Sequence, residues 1–170
     1  MTKEKVENKL QIYVDADSCP VKNEIETVAT EFECEITFVS SYAHQLAVSS
    51  SSKVVTVDAD REAADLYIAN HCYGQEICIT QDYGLAALLL PKKVIVLSPR
   101  GERYTESRIE QMLDARHHSQ KQRRAGGKTK GPKKFTFEDR QRFLLELKKI
   151  LAKEAGKPQK NSKLDHSSES

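Results

Sequence analysis

Asp15 and Asp17 stand one residue apart at the end of the apolar run Gln11-Ile12-Tyr13-Val14, and two further acids, Asp65 and Asp82, sit where packing would favour something else. Strands disfavour Asp. Two carboxylates about 6 Å apart at an effective dielectric of about 20 repel by roughly 3 kcal/mol, a cost that a cation relieves. Asp65 lies within the apolar helical run Ala63–Ala69, with Ile68 and Ala69 three and four residues on, so it faces a partly buried surface. Such burial is expensive unless the charge is paired. Asp82 follows the apolar run Ile77-Cys78-Ile79-Thr80, again at a carboxyl end. Four hard oxygen donors of this kind suit Mg²⁺ or Mn²⁺ and not zinc. Asp17 and Asp82 also read as helix caps, Asp82 standing before Tyr83-Gly84. Asp58, Asp60 and Glu62 lie near the same rim as loop or solvated helix residues, and Thr80 can support the acids with a hydrogen bond.

The elements that must position these acids alternate along the first hundred residues. Gln11–Val14, Glu35–Val39, Lys53–Val57, Glu76–Thr80 and Lys93–Leu97 read as strands separated by helix-length segments, which predicts a parallel α/β sheet. Val21, Ile25, Val28, Ala29 and Phe32 share one face of a first helix, with Pro20 at its first turn. The connection Ser40–Ser52 is serine-rich and reads partly as loop. Ala63–Ala69 and Leu85–Leu90 are good helix sequences. In a sheet ordered 3-2-1-4-5, strands one and four are neighbours at the switch point where ligands bind, so acids from both strand ends and a flanking helix would converge there.

Beyond strand five come the turn Ser98–Tyr104, a helix presenting Ile109, Met112 and Leu113, and then residues 117–134, with seven Lys/Arg and no acid. Thr136 with Glu138 and Asp139 restarts a helix whose packing face is Phe143, Leu144, Leu147, Ile150 and Leu151. This gives an N-terminal tail (1–10), one domain (11–152) that includes the basic segment, and a disordered polar tail (153–170). Residues 1–99 hold eight Lys/Arg against 15 Asp/Glu, net −7, and residues 100–170 hold 19 against ten, net +9. An acidic site beside a basic arm suits a metal-dependent enzyme acting on a polyanion. No run approaches the ~18 apolar residues of a membrane span, and the start carries no apolar signal core, so a cytoplasmic protein without membrane contact is expected. Cys19, Cys34, Cys72 and Cys78 form no C-x-x-C and read as buried free thiols.

The runs Val14–Pro20, Ala64-Asp65-Leu66-Tyr67-Ile68, Thr80-Gln81-Asp82 with Leu85-Ala86, and Pro99-Arg100-Gly101-Glu102-Arg103-Tyr104, then Gly131-Pro132, Asp139-Arg140 and Phe143, resemble the bacterial YaiI/YqxD family. The resemblance covers about residues 11 to 152 and implies a PIN-like nuclease fold with a Mg²⁺ or Mn²⁺ site at Asp15, Asp17, Asp65 and Asp82. Many relatives carry Asp three residues before the helical Asp, where this chain departs from the pattern with Glu62, a carboxylate long enough to reach the same metal. PIN-like domains often dimerise, so the resemblance also implies a homodimer.

The expected function is a metal-dependent nuclease hydrolysing phosphodiester bonds, in RNA by preference, with the acids as catalytic residues and metal ligands. Arg100 and Arg103 lie just past strand five, where they either grip a phosphate or pair with sheet-edge acids. Arg123, Arg124, Lys128 and Lys130 belong to the basic segment, read as a clamp on a nucleic-acid backbone; His117 and His118 read as a solvated helix end. Two rivals stand beside this. One is a nucleic-acid-binding module without turnover. The other is a phosphotransferase of the haloacid-dehalogenase type using Asp15 as nucleophile and Asp17 as acid/base, although no paired Asp motif follows a later strand.

Overall fold

The computed structural model describes residues 9–17, 19–41, 48–49, 51–60, 62–124 and 134–156, the last nine residues of the 62–124 stretch by backbone alone. Five strands, β1 (Gln11–Asp15), β2 (Glu35–Ser41), β3 (Lys53–Val57), β4 (Ile77–Ile79) and β5 (Ile95–Leu97), form one sheet in the order β3-β2-β1-β4-β5. Every pairing is parallel, with Ile12 opposite both Ile36 and Ile77. Among the described residues five helices flank it: α1 (Lys22–Phe32), α2 (Ala63–His71), α3 (Tyr83–Leu89), α4 (Glu106–Arg124) and α5 (Phe137–Ala155).

Strand alternation sorts the apolar residues into two cores. Ile12, Val14, Ile36, Phe38, Ile77, Ile79 and Leu97 pack with α1 and α5 on one face, while Cys78 and Val96 pack with α2, α3 and α4 on the other. A parallel sheet covered on both faces needs near-continuous apolar strands, which is why the central ones read so clearly in the sequence. α5 arrives from far along the chain, yet Phe143, Leu147, Ile150 and Leu151 are essentially fully buried. At about 1.5–3 kcal/mol each, their burial outweighs the ~0–1 kcal/mol typical of an exposed ion pair and fixes the helix against α1. Its start is set by a capping box, in which Thr136 accepts from the Asp139 N–H and Asp139 accepts from the Thr136 N–H.

Several boundaries differ from those the sequence predicts. β2 runs on to Ser41, which still pairs with Val57 of β3 and whose N–H the Asp17 carboxylate accepts at 3.0 Å. β5 begins at Ile95, since Lys93 takes a left-handed φ of 71° leaving the 3-10 turn Leu90–Lys92. β4 is confined to Ile77–Ile79; the Glu76 carboxylate before it gathers the N–H groups of Tyr73, Gly74 and Gln75. Among the described residues there is no helix between β2 and β3. The apolar pattern stops at Leu113, but α4 continues to Arg124, so the basic segment is helical over 117–124 where an open arm was expected. α5 likewise reaches Ala155, taking residues 153–155 from the expected tail. No helix is long and apolar enough to cross a membrane among the described residues.

Candidate acidic site at the carboxyl edge of the sheet

β1 and β4 are hydrogen-bonded neighbours at the point where the winding reverses, and both end in acids on the same edge. Asp15 is the last residue of β1. Its Oδ2 accepts from the Thr80 hydroxyl at 2.9 Å, and the Asp82 N–H donates back to the same Thr80 oxygen at 3.0 Å. Thr80 is buried and ties the two strand ends together through its hydroxyl. Asp82 caps α3, its Oδ1 accepting from Gly84 N–H at 2.8 Å and Leu85 N–H at 3.3 Å. One carboxylate therefore ends a turn, starts a helix and still faces the cluster.

Asp65 enters from α2. Burial, a hydrogen bond between its carboxyl and that of Asp82, and the charges of Asp82, Asp15 and Glu62 push it up to about 7. Asp65 is therefore only part-ionised at neutral pH, and its protonated form donates to Asp82. Asp15 is also raised, first by burial and then by Asp82 and Asp17, against the lowering effect of the Thr80 hydroxyl. Asp17 lies within the field of Asp15, but its oxygens take the Ser41 N–H of β2. Glu62, at the cap of α2, is exposed and adds its charge at the margin. Three elements thus bring Asp15, Asp65 and Asp82 together, with Asp17 and Glu62 around them. As the side chains stand, no three of the described acids, histidines or cysteines are close enough to hold one ion. The chemistry of the set nevertheless fits a hard cation: its donors are all oxygen, and two of its carboxyls already approach each other closely enough to raise Asp65.

Arg100 reaches the start of α5. Its Nη1 donates to Asp139 Oδ2 and to the Lys134 carbonyl, and its guanidinium lies 5.5 Å from the Phe135 ring centroid. Thr136 N–H, together with Arg142 and Arg100, holds the Asp139 carboxyl below the usual range. Arg140 covers the same Phe135 ring at 5.1 Å and donates to the Pro20 carbonyl, just beyond the first acid pair. Gly101 permits this docking. Its φ is 86°, and a Cβ there would lie 2.7 Å from the Arg142 carbonyl carbon and the Phe143 nitrogen. None of this long-range network was legible as such, although the Pro-Arg-Gly run marked its turn. Arg103 is exposed. Arg123 and Arg124 end α4, and Lys128 and Lys130 lie outside the described residues. Tyr104 lies buried in the core on the α2, α3 and α4 side, where burial, then Glu102 and Asp82, push its hydroxyl up to about 12.

A model of the uncharacterised bacterial YaiI/YqxD family matches residues 13–153. The chain belongs to the YaiI/YqxD family. It is 56% identical over 146 residues to a UPF0178 protein of Halalkalibacterium halodurans, covering 86% of this chain and 93% of that one. A UPF0178 protein of Bacillus pumilus is 52% identical over 146 residues (85% and 88% covered), and one of Bacillus cytotoxicus 46% over 151 residues (89% and 99%). No solved structure matches. The matched span takes in every YaiI/YqxD acid discussed above and the whole Arg100–Asp139 network.

Proposed function

We propose that the chain is a Mg²⁺- or Mn²⁺-dependent phosphodiesterase acting on RNA, with the PIN-like reading that its family resemblance implies. The observation that carries this is the convergence of the Asp65 and Asp82 carboxyls, with Asp15 beside them, at the switch point of the sheet. Acids that do not need to meet for folding meet there at an electrostatic cost, and a divalent cation relieves that cost. Asp15, Asp65 and Asp82 would hold the ion, with Asp17 and Glu62 within reach of its field. Bound there, the ion supplies an acidified water and neutralises charge on the attacked phosphoryl oxygens. Thr80 fixes the Asp15 carboxylate, and the first turn of α3 fixes that of Asp82. Arg103 at the rim and the basic run that includes Arg123, Arg124, Lys128 and Lys130 supply positive charge for a polyanion that the acidic body repels. Asp65 gives up its proton as the cation enters, so binding weakens as pH falls below about 7.

The test is a calorimetric Mn²⁺ titration of the wild type and of Asp65→Asn and Asp15→Asn, with cleavage of end-labelled RNA followed with and without metal. Binding by the wild type alone, with metal-dependent cleavage, supports the reading. Equal binding by all three chains would place the site elsewhere. A second reading, an RNA-binding module without turnover, is favoured by the spacing of the acids as they stand. RNA binding without cleavage at saturating Mn²⁺ would select it.

A further inference from the structure

The two edges of the sheet are treated differently by the chain. Beyond β5 the backbone returns antiparallel: Leu97 bridges Arg103, and the Tyr104 N–H donates to the Val96 carbonyl at 3.0 Å. Beyond β3, among the described residues, no backbone group pairs with the outer side of Lys53–Val57.

Open strand edges are ordinarily blunted by shortness, Pro, a bulge, an inward charge or a covering segment, because their free N–H and C=O groups recruit other strands. Of the devices that its own sequence could supply, β3 shows only the exposed Lys53 at its start. It has the usual length of five residues, keeps an unbroken register with β2 and contains no Pro. Val54, Val55, Thr56 and Val57 are all β-branched, and the one charged residue, Lys53, stands at the start. Val54 is 41% exposed on the α1 side, while Val55 and Val57 are half-buried toward α2. Both faces of this edge therefore end in incompletely covered apolar surface.

We propose that β3 pairs antiparallel with β3 of a second copy, about a two-fold axis midway between the two copies of Val55 and perpendicular to the sheet, joining the two five-stranded sheets into one. Charge selects this occupant and this direction. Lys53 opens the strand, and Asp58 and Asp60 follow it. Parallel pairing stacks like charges at both ends, whereas antiparallel pairing lays each basic start beside the partner's acidic exit. In the register centred on Val55, that residue meets its own copy, Val54 meets Thr56 and Lys53 meets Val57, so no like charges face each other. An even register also keeps each face of the sheet continuous across the axis, and the closed two-fold leaves neither β3 edge open. The two acidic sites then lie at opposite ends of the joined sheet, and each works alone.

Sedimentation equilibrium of the full chain across a concentration series tests this. The wild type is expected at twice the chain mass. The double variant Val54→Lys/Thr56→Lys sets like charges opposite each other twice and is expected at the single mass. Val54→Lys/Thr56→Glu sets opposite charges at the same places and is expected to stay dimeric. Both positions are exposed, so circular dichroism should show all three folded. If the first variant does not fold, hydrogen exchange of the wild type keeps the test open: β3 amides should gain protection as concentration rises. A monomeric wild type at every concentration, dimerisation by the double-lysine variant, loss of the dimer in both variants, or β3 exchange that ignores concentration would each overturn the pairing. None of these results touches metal binding or cleavage, so the acidic-site reading stands or falls separately.

Discussion

Asp65 of α2 and Asp82 at the cap of α3 share a carboxyl–carboxyl hydrogen bond, and that proton sets how the site answers to pH. Burial and the neighbouring acids raise Asp65 from its unfolded value near 3.8 to about 7. The folded state then binds more protons than the unfolded state between those values, so the stability tied to this proton is present below about pH 4 and is lost as pH rises through about 7. Melting temperature in chelator should therefore carry a downward contribution across that interval in the wild type, absent in Asp65→Asn. The difference between the two chains removes the contribution of carboxylates that titrate in both. At pH 7.5, added Mn²⁺ should raise the melting temperature of the wild type and not of the variant. Parallel pH profiles for the two chains would refute the shared proton.

Asp82 has two roles that different substitutions separate. Asn keeps an oxygen for the Gly84 and Leu85 N–H groups, so Asp82→Asn should hold stability near the wild type, or raise it by relieving repulsion with Asp15, while abolishing Mn²⁺ binding. Asp82→Ala should cost a further ~0.5–2 kcal/mol in urea unfolding through loss of the cap. If Asn costs as much as Ala, the carboxylate charge itself is structural.

Thr80 links Asp15 to the backbone of Asp82, and Thr80→Val removes the link at nearly constant shape. The exposed Asp82 loses the partner of its N–H and Asp15 loses the hydroxyl, which should cost about 0.5–1.5 kcal/mol for each hydrogen bond. Loss of a hydrogen bond that orients a ligand typically weakens metal affinity by about 10–100-fold. Thr80→Ser restores the hydroxyl and should recover both. Urea unfolding and Mn²⁺ calorimetry on the two variants check this, and recovery of neither would show that the methyl group, not the hydroxyl, matters.

The fold was legible where burial alone decided it. Strands covered on both faces must be apolar, and Ile12, Phe38, Ile77 and Leu97 announced the sheet whose order the acids then made meaningful. The meeting of Asp65 with Asp82 was likewise readable, because an acid inside an apolar helix needs a partner. What could not be read was chosen over long distances or by propensity. Arg100 finds Asp139 39 residues away, and nothing local to either residue specifies the other. The second half of α4 has no apolar stripe, but its Ala, Arg, Gln and Lys are good helix formers, so the helix runs on where amphipathicity ends. Asp17 looked like a full member of the cluster, and only its N–H donor on β2 reveals that it also holds the sheet together.

The arginines of the Pro-Arg-Gly turn should divide by role. Arg100 binds the start of α5 through Asp139 and the Lys134 carbonyl, so Arg100→Ala should lower the melting temperature, and Gly101→Ala should lower it further by forcing a Cβ against the α5 backbone. Arg103 is exposed, so Arg103→Ala should leave the melting temperature unchanged and act on RNA affinity alone. Each phosphate of a single strand that is no longer neutralised should flatten the plot of log affinity against log salt by about 0.7. Replacing Arg123, Arg124, Lys128 and Lys130 together by Ala should flatten it by a multiple of that. Fluorescence anisotropy with labelled RNA across a salt series measures the slope, with melting temperature as the control. An unchanged slope in both variants would take the rim and the basic run out of the binding surface. A fall in slope for Arg100→Ala at constant melting temperature would return that guanidinium to the phosphate and away from Asp139.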